Sequence, residues 1–230
     1  MYSPENQTER IILTAADLKT ITVSDNGSLM VDLKPLLPQV VVLYEKKDME
    51  PYTGSQILVR EALVSMIAEA YALLQIVMPG CTFRIQYGYR HPDIQSEYFA
   101  RRHAFFLDNN PQLSSEELIE LTHTQVAYPM VAGHPTGGAI DLTILNADGI
   151  KIDMGTDIAD YSIPNKCFTY STSITETQAT HRKVLHDLML QVGFAPFYGE
   201  WWHFSYGDRE WAKFYGFAAS LFDQIDVMTK

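Results

Sequence analysis

"GHPTGGAIDLTIL", Gly133 to Leu145, sets a histidine and an aspartate seven positions apart around a proline and two adjacent glycines, then runs into an apolar stretch. The segment "AIDLTIL" reads as a half-buried strand that ends at the turn "NADG". Asp141 stands between Ile140 and Leu142 near its start. A carboxylate buried there without partners would cost several kcal/mol, so it needs a cation or a set of donors. Gly137 and Gly138 allow backbone conformations that a side chain forbids, so the chain can fold back and present His134 and Asp141 to one point. The same residues also suit an ordinary glycine-rich turn that feeds a strand.

Working outward, "QVVVLYE" at Gln39 to Glu45 is a strand candidate, and "PYTG" at Pro51 to Gly54 is a turn. The stretch "SQILVREALVSMIAEAYALLQIVMPG" has helical length and apolar spacing, with Pro79-Gly80 as its stop. "CTFRIQYGYR" alternates as a strand does, and Pro92 then opens a helix through "DIQSEYFARRHAFFL", which leaves Arg90 at the strand-to-helix junction. "SSEELIEL" is a short capped helix, and "TETQATHRKVLHDLMLQVGF" carries a Thr175/Gln178 capping pattern. Residues 151–172 lack a sustained period and form a long loop of the kind that is often functional. "EWWHFSYG", Glu200 to Gly207, reads as an aromatic strand, and an amphipathic segment follows from Asp208. Strands and helices mixed without a βαβ rhythm predict an α+β fold, with a mainly antiparallel sheet and helices packed on one side.

The bulk numbers agree with one domain over residues 1–230. The chain is 47% apolar, 20% charged and 12% aromatic, a globular balance that excludes wholesale disorder. Its formal charge is -11 and it has no Lys/Arg run to neutralise a row of phosphates, so nucleic acid is not expected as a partner. Neither a signal peptide nor a long apolar span is visible, so no membrane partner is expected and a cytoplasmic location is the default. Cys81 and Cys167 show no C-x-x-C spacing and read as small reduced packing residues.

Catalytic zinc takes three protein ligands and keeps one position open. His134, Asp141 and His203 could supply them. Glu200 lies three residues before His203, close enough in sequence to serve as the carboxylate that takes a proton from an activated water. The alternative is that Trp201, Trp202 and Phe204 are core aromatics, with Glu200 and His203 at an edge. His91, His103, His123, His181 and His186 have no partner spacing and read as structural or solvated.

"HPTGGAID" at His134 to Asp141, followed about 60 residues later by "EWWH" at Glu200 to His203, resembles the zinc D-alanyl-D-alanine dipeptidases of the vancomycin-resistance type. These belong to a wider group of zinc carboxypeptidases and endolysins that share a fold with the hedgehog signalling domain. The resemblance covers roughly residues 55 to 215, with residues 1–55 as a variable N-terminal part. It implies one Zn²⁺ held by His134, Asp141 and His203, with Glu200 as general base and acid. "YGYRHP" places Arg90 on a family arginine that stabilises the transition state. "DMGT" places Asp153 on a segment that binds the substrate's free amino group, in the long loop. The implied activity is hydrolysis of a small peptide, a D-Ala-D-Ala-type dipeptide. In one departure, Ala132 stands where the family usually has a serine that helps hold the substrate carboxylate.

Three rivals follow from the same residues. A carboxypeptidase acting on longer peptidoglycan stem peptides would differ in substrate length. A non-haem iron oxygenase also uses two His and one carboxylate, but its first two ligands commonly lie two residues apart and it leaves Glu200 without a task. A binding module with a zinc scaffold and no catalysis would need neither Glu200 nor Arg90.

Overall fold

Ala139–Leu145 is the middle strand of a five-stranded sheet, and every one of its residues is buried. In the computed structural model, which describes residues 11–228, the chain order is α1 (Ala15–Lys19), β1 (Met30–Asp32), α2 (Leu33–Leu36), β2 (Val41–Val42), α3 (Glu50–Thr53), β3 (Leu58–Arg60), α4 (Ala62–Val77), β4 (Thr82–Tyr87), α5 (Pro92–Asn109), α6 (Ser115–His123), β5 (Ala139–Leu145), α7 (Glu176–Gln191), β6 (Ala195–Pro196), β7 (His203–Ser205) and α8 (Arg209–Phe214). The large sheet runs β2-β4-β5-β7-β6, and β1 pairs with β3 in a separate two-stranded ribbon. All pairings are antiparallel except β2 with β4. The α+β expectation therefore holds.

The two faces of β5 do different work. Ile140, Leu142 and Ile144 join Phe83 and Ile85 of β4 and Phe204 of β7 in the main core. Leu63, Ile67, Ala70 and Leu74 of α4 and Leu185, Leu188 and Met189 of α7 close that face. Alternation along a strand then sends Ala139, Asp141 and Thr143 to the other face. There Tyr98 of α5 and His123 of α6 wall a cavity over the sheet.

Element ends differ from the sequence pattern where tertiary pairing overrides period. The predicted Ser55–Gly80 helix begins only at Ala62, because Leu58–Arg60 is drawn into β3 against β1. The aromatic strand contracts to His203–Ser205, with Glu200 to Trp202 in a turn. Ser114 and Thr175 cap α6 and α7 through reciprocal bonds with Glu117 and Gln178, as their patterns predict. Both cysteines are free and buried. Among the described residues, no helix is long and apolar enough to cross a membrane.

Candidate metal centre

Register brings the first two groups together. Asp141 on β5 pairs directly with His203 on β7, so their side chains leave the same face of the sheet as cross-strand neighbours. His134 arrives from the turn before β5. The 3₁₀ turn His134–Thr136 ends at Gly137 with φ 74°, a left-handed conformation that glycine adopts without strain. At Gly138 a Cβ would stand 2.4 Å from the Tyr206 carbonyl oxygen, so the close backbone approach excludes any side chain. Arg60, which sequence reasoning missed, pins this turn. Its backbone N–H donates to the Gly137 carbonyl at 2.8 Å and its Nε to the Thr136 carbonyl at 2.7 Å, while its guanidinium pairs with Asp25.

His134 Nε2 lies 3.4 Å from Asp141 Oδ1, and His203 Nδ1 lies 3.2 Å from the same oxygen. Each of the three residues offers a ligand atom within 4.8 Å of the others, and all three are buried. His134 Nδ1 faces the Gly88 carbonyl at 2.7 Å, which fixes its proton there and leaves Nε2 as the free lone pair. Two imidazoles and a carboxylate converging from one side, with a cavity on the other, are the donor set and open geometry of a catalytic zinc site. The residues present fit that ion.

A bulge in β4 aims the next residues. Ile85 is opposite Leu142 on the core face, yet Tyr87 is opposite Asp141 on the polar face, so the register shift turns the strand end toward the cluster. Arg90 follows, with its backbone N–H on the His134 carbonyl. Its guanidinium stacks over the Tyr87 and Tyr98 rings, is held by Gln95 Oε1 at 2.8 Å, and stands 4.0 Å from Asp141 Oδ2. Gln95 is completely buried and its amide donates to the Ala127 carbonyl.

Glu200 reaches the same cavity from the turn before β7, where the His203 backbone N–H donates to the Glu200 carbonyl. Tyr161, in the long loop, hydrogen-bonds to Glu200 Oε1 and to the Gln125 carbonyl. Sequence reasoning marked that loop without selecting Tyr161. Glu210, in the first turn of α8, also lines the cavity and was missed.

Electrostatics separates these acids. Burial alone would raise Asp141, but the His134 and His203 imidazoles hold its carboxyl well below the usual range. Burial pushes Glu200 up to about 7 and Glu210 up to about 8, with His203 opposing both shifts. Burial lowers His134 to about 4, whereas the bond to Asp141 and the charges of Glu210 and Asp141 outweigh burial at His203 and raise it to about 9. One carboxylate is thus kept ionised and another is poised near neutrality.

Asp153, expected as a substrate contact, is not among the residues that line this cavity. It is exposed beside a neighbouring opening, where its carboxylate accepts from Gly155 N–H and Gln178 Nε2 and its carbonyl faces His181 Nδ1. The short "DMGT" turn and the start of α7 satisfy it locally. Ala132 is buried outside the cavity lining, with its carbonyl accepting from Gln224.

The D-Ala-D-Ala dipeptidase family model matches residues 42–220. A D-alanyl-D-alanine dipeptidase of Synechocystis sp. is 38% identical over 88 residues, 34% of this chain and 36% of that protein. One from Escherichia coli is 32% identical over 73 residues, 32% of this chain and 37% of that protein. The matched stretches thus span about a third of each relative's length. Among solved structures, a vancomycin-resistance D,D-pentapeptidase in complex with zinc covers 88% of this chain and 96% of its own, with 15% identity and a TM-score of 0.42.

Proposed function

The chain belongs to the D-Ala-D-Ala dipeptidase family, and from that premise we propose that it is a zinc metallopeptidase that hydrolyses a small D-Ala-D-Ala-type dipeptide. The observation that carries the proposal is the convergence of His134, Asp141 and His203 beneath one cavity that Glu200 and Arg90 also line. That cavity holds about 220 Å³, room for the two small residues of a dipeptide.

His134, Asp141 and His203 would hold the zinc ion, which would supply Lewis-acid polarisation of water and of the scissile carbonyl. Glu200 takes the proton of the attacking water and returns it to the leaving amine, work that suits a carboxyl raised by burial toward neutrality. The Tyr161 phenol holds the Glu200 carboxylate in place through its hydrogen bond. Arg90, fixed by Gln95 and two tyrosine rings, presents its guanidinium to the oxyanion that develops on the carbonyl oxygen as water attacks the carbon.

The test is a panel of D,D-, L,D- and L,L-dipeptides, with longer D-Ala-D-Ala-terminated peptides beside them, incubated with zinc-loaded protein and assayed for free amino acids. D-Ala-D-Ala is expected to be cleaved and the longer peptides to be spared. Cleavage of the longer peptides with sparing of the dipeptide would make the protein a carboxypeptidase. A fully active His203→Ala protein would end the metal-site assignment.

A further inference from the structure

The two histidines of the cluster are backed by different groups. His134 gives its outward nitrogen to a neutral carbonyl, that of Gly88. His203 turns Nδ1 inward to Asp141 Oδ1 and directs Nε2 outward to Glu210 Oε2, 3.7 Å away. A ring with the Nδ1 lone pair on a metal must carry its remaining proton on Nε2, and the residue as a whole is buried. It needs an acceptor, and Glu210 is the acid that faces it.

Glu210 has its own deficit. The residue is 7% exposed, and its second oxygen, Oε1, has no hydrogen-bond partner. A buried carboxylate in that condition costs several kcal/mol unless something compensates its charge. Packing of α8 gives no reason for it, since Trp211 and Ala212 supply that helix's buried apolar contacts. Asp208, the N-cap, accepts from Trp211 N–H at the helix start and from the Ser205 hydroxyl. The charge that Glu210 complements therefore lies on the other side, at His203 and the ion beyond it.

We propose that Glu210 is a positioning residue for the metal: it accepts the Nε2 proton of His203, fixes the tautomer that turns Nδ1 inward, and adds the second negative charge that, with Asp141, balances a divalent cation. The inference rests on the zinc assignment of the His134–Asp141–His203 cluster.

The experiment measures zinc affinity by competition with a chromophoric chelator for the full chain and for Glu210→Gln and Glu210→Leu, with the visible absorption of the cobalt(II)-substituted forms and the melting of the metal-free forms recorded alongside. Loss of such an outer partner weakens metal binding by roughly 10- to 100-fold, which is the expectation for Glu210→Leu. Glu210→Gln keeps an acceptor oxygen at Nε2 and should recover part of that loss, with a cobalt spectrum closer to that of the unaltered protein. Metal-free melting should not fall in either variant, because each removes a buried carboxyl. Zinc affinities within twofold of one another in all three proteins, with unchanged cobalt spectra, would overturn the proposal and leave the zinc assignment standing. If the unaltered protein itself binds no zinc, the zinc assignment fails and this inference falls with it.

Discussion

The strand pair β5–β7 and the loop of residues 151–172 border the same sheet, and they place side chains by different means. On the strands, the ladder fixes Asp141 opposite His203, and alternation decides which residues face the cavity. In the loop, position depends on individual hydrogen bonds. Asp153 is drawn toward α7 by Gln178, while Tyr161, eight residues on, is drawn into the cavity by Glu200 and the Gln125 carbonyl. The difference teaches that a ladder makes function readable from spacing, whereas a loop makes it depend on partners far away in sequence.

Glu200→Gln breaks the strand side most severely. It should reduce turnover by about 10²- to 10⁴-fold, the worth of a general base, while zinc stoichiometry stays unchanged by metal analysis. Retained activity would remove Glu200 from the chemistry. Arg90→Ala should cost about 10²- to 10³-fold in kcat, again with metal bound. If it instead raised KM alone, Arg90 would be a ground-state contact.

Protonation gives a gentler test of the strand side. In metal-free protein, Glu200, Glu210 and His203 all hold protons to higher pH in the folded state than in the unfolded chain. Wherever the unfolded chain binds fewer protons, stability falls as pH rises. Between pH 4 and 6.5 the lowered His134 works in the opposite sense and offsets part of the loss. Metal-free stability should therefore drop most steeply from about pH 6.5 to 8, by up to about 1.4 kcal/mol per pH unit for each group titrating. Melting scans across that range check it, and a flat or rising profile would show that these groups are not buried together.

The loop side predicts the smallest effect. Asp153→Ala should leave KM and the preference for free over N-acetylated dipeptides unchanged, and should lower stability by no more than about 1 kcal/mol through the lost bonds to Gln178 and Gly155. A KM increase confined to substrates with a free amino group would restore Asp153 as a substrate contact.

The legibility of the sequence follows the same division. His134, Asp141, Glu200 and His203 could be picked out because each lies in a short segment whose local geometry delivers it, and Gly137 at φ 74° is the conformation that the double glycine permits. Arg90's place at a strand-to-helix junction was readable, but its role came from the resemblance of "YGYRHP" to a family motif, and the bulge that turns Tyr87 and the following residues toward the cluster depends on pairing with β5. Arg60, Tyr161 and Glu210 were not readable. Each acts through a partner 39 or more residues away, or through a helix start whose direction only the folded chain decides. Leu58–Arg60 shows the same limit for the fold, since its helical pattern yielded to β1.

The central claim is that one buried cluster holds the zinc on which dipeptide hydrolysis depends. Titrating metal-free protein with zinc, while following bound metal and the release of free D-alanine from D-Ala-D-Ala in the same samples, tests it most directly. The account predicts that hydrolysis rises in proportion to bound zinc and levels off at one ion per chain, and that His203→Ala shows neither signal. Hydrolysis that proceeds without zinc, or one bound zinc with no dipeptide cleaved, would contradict it.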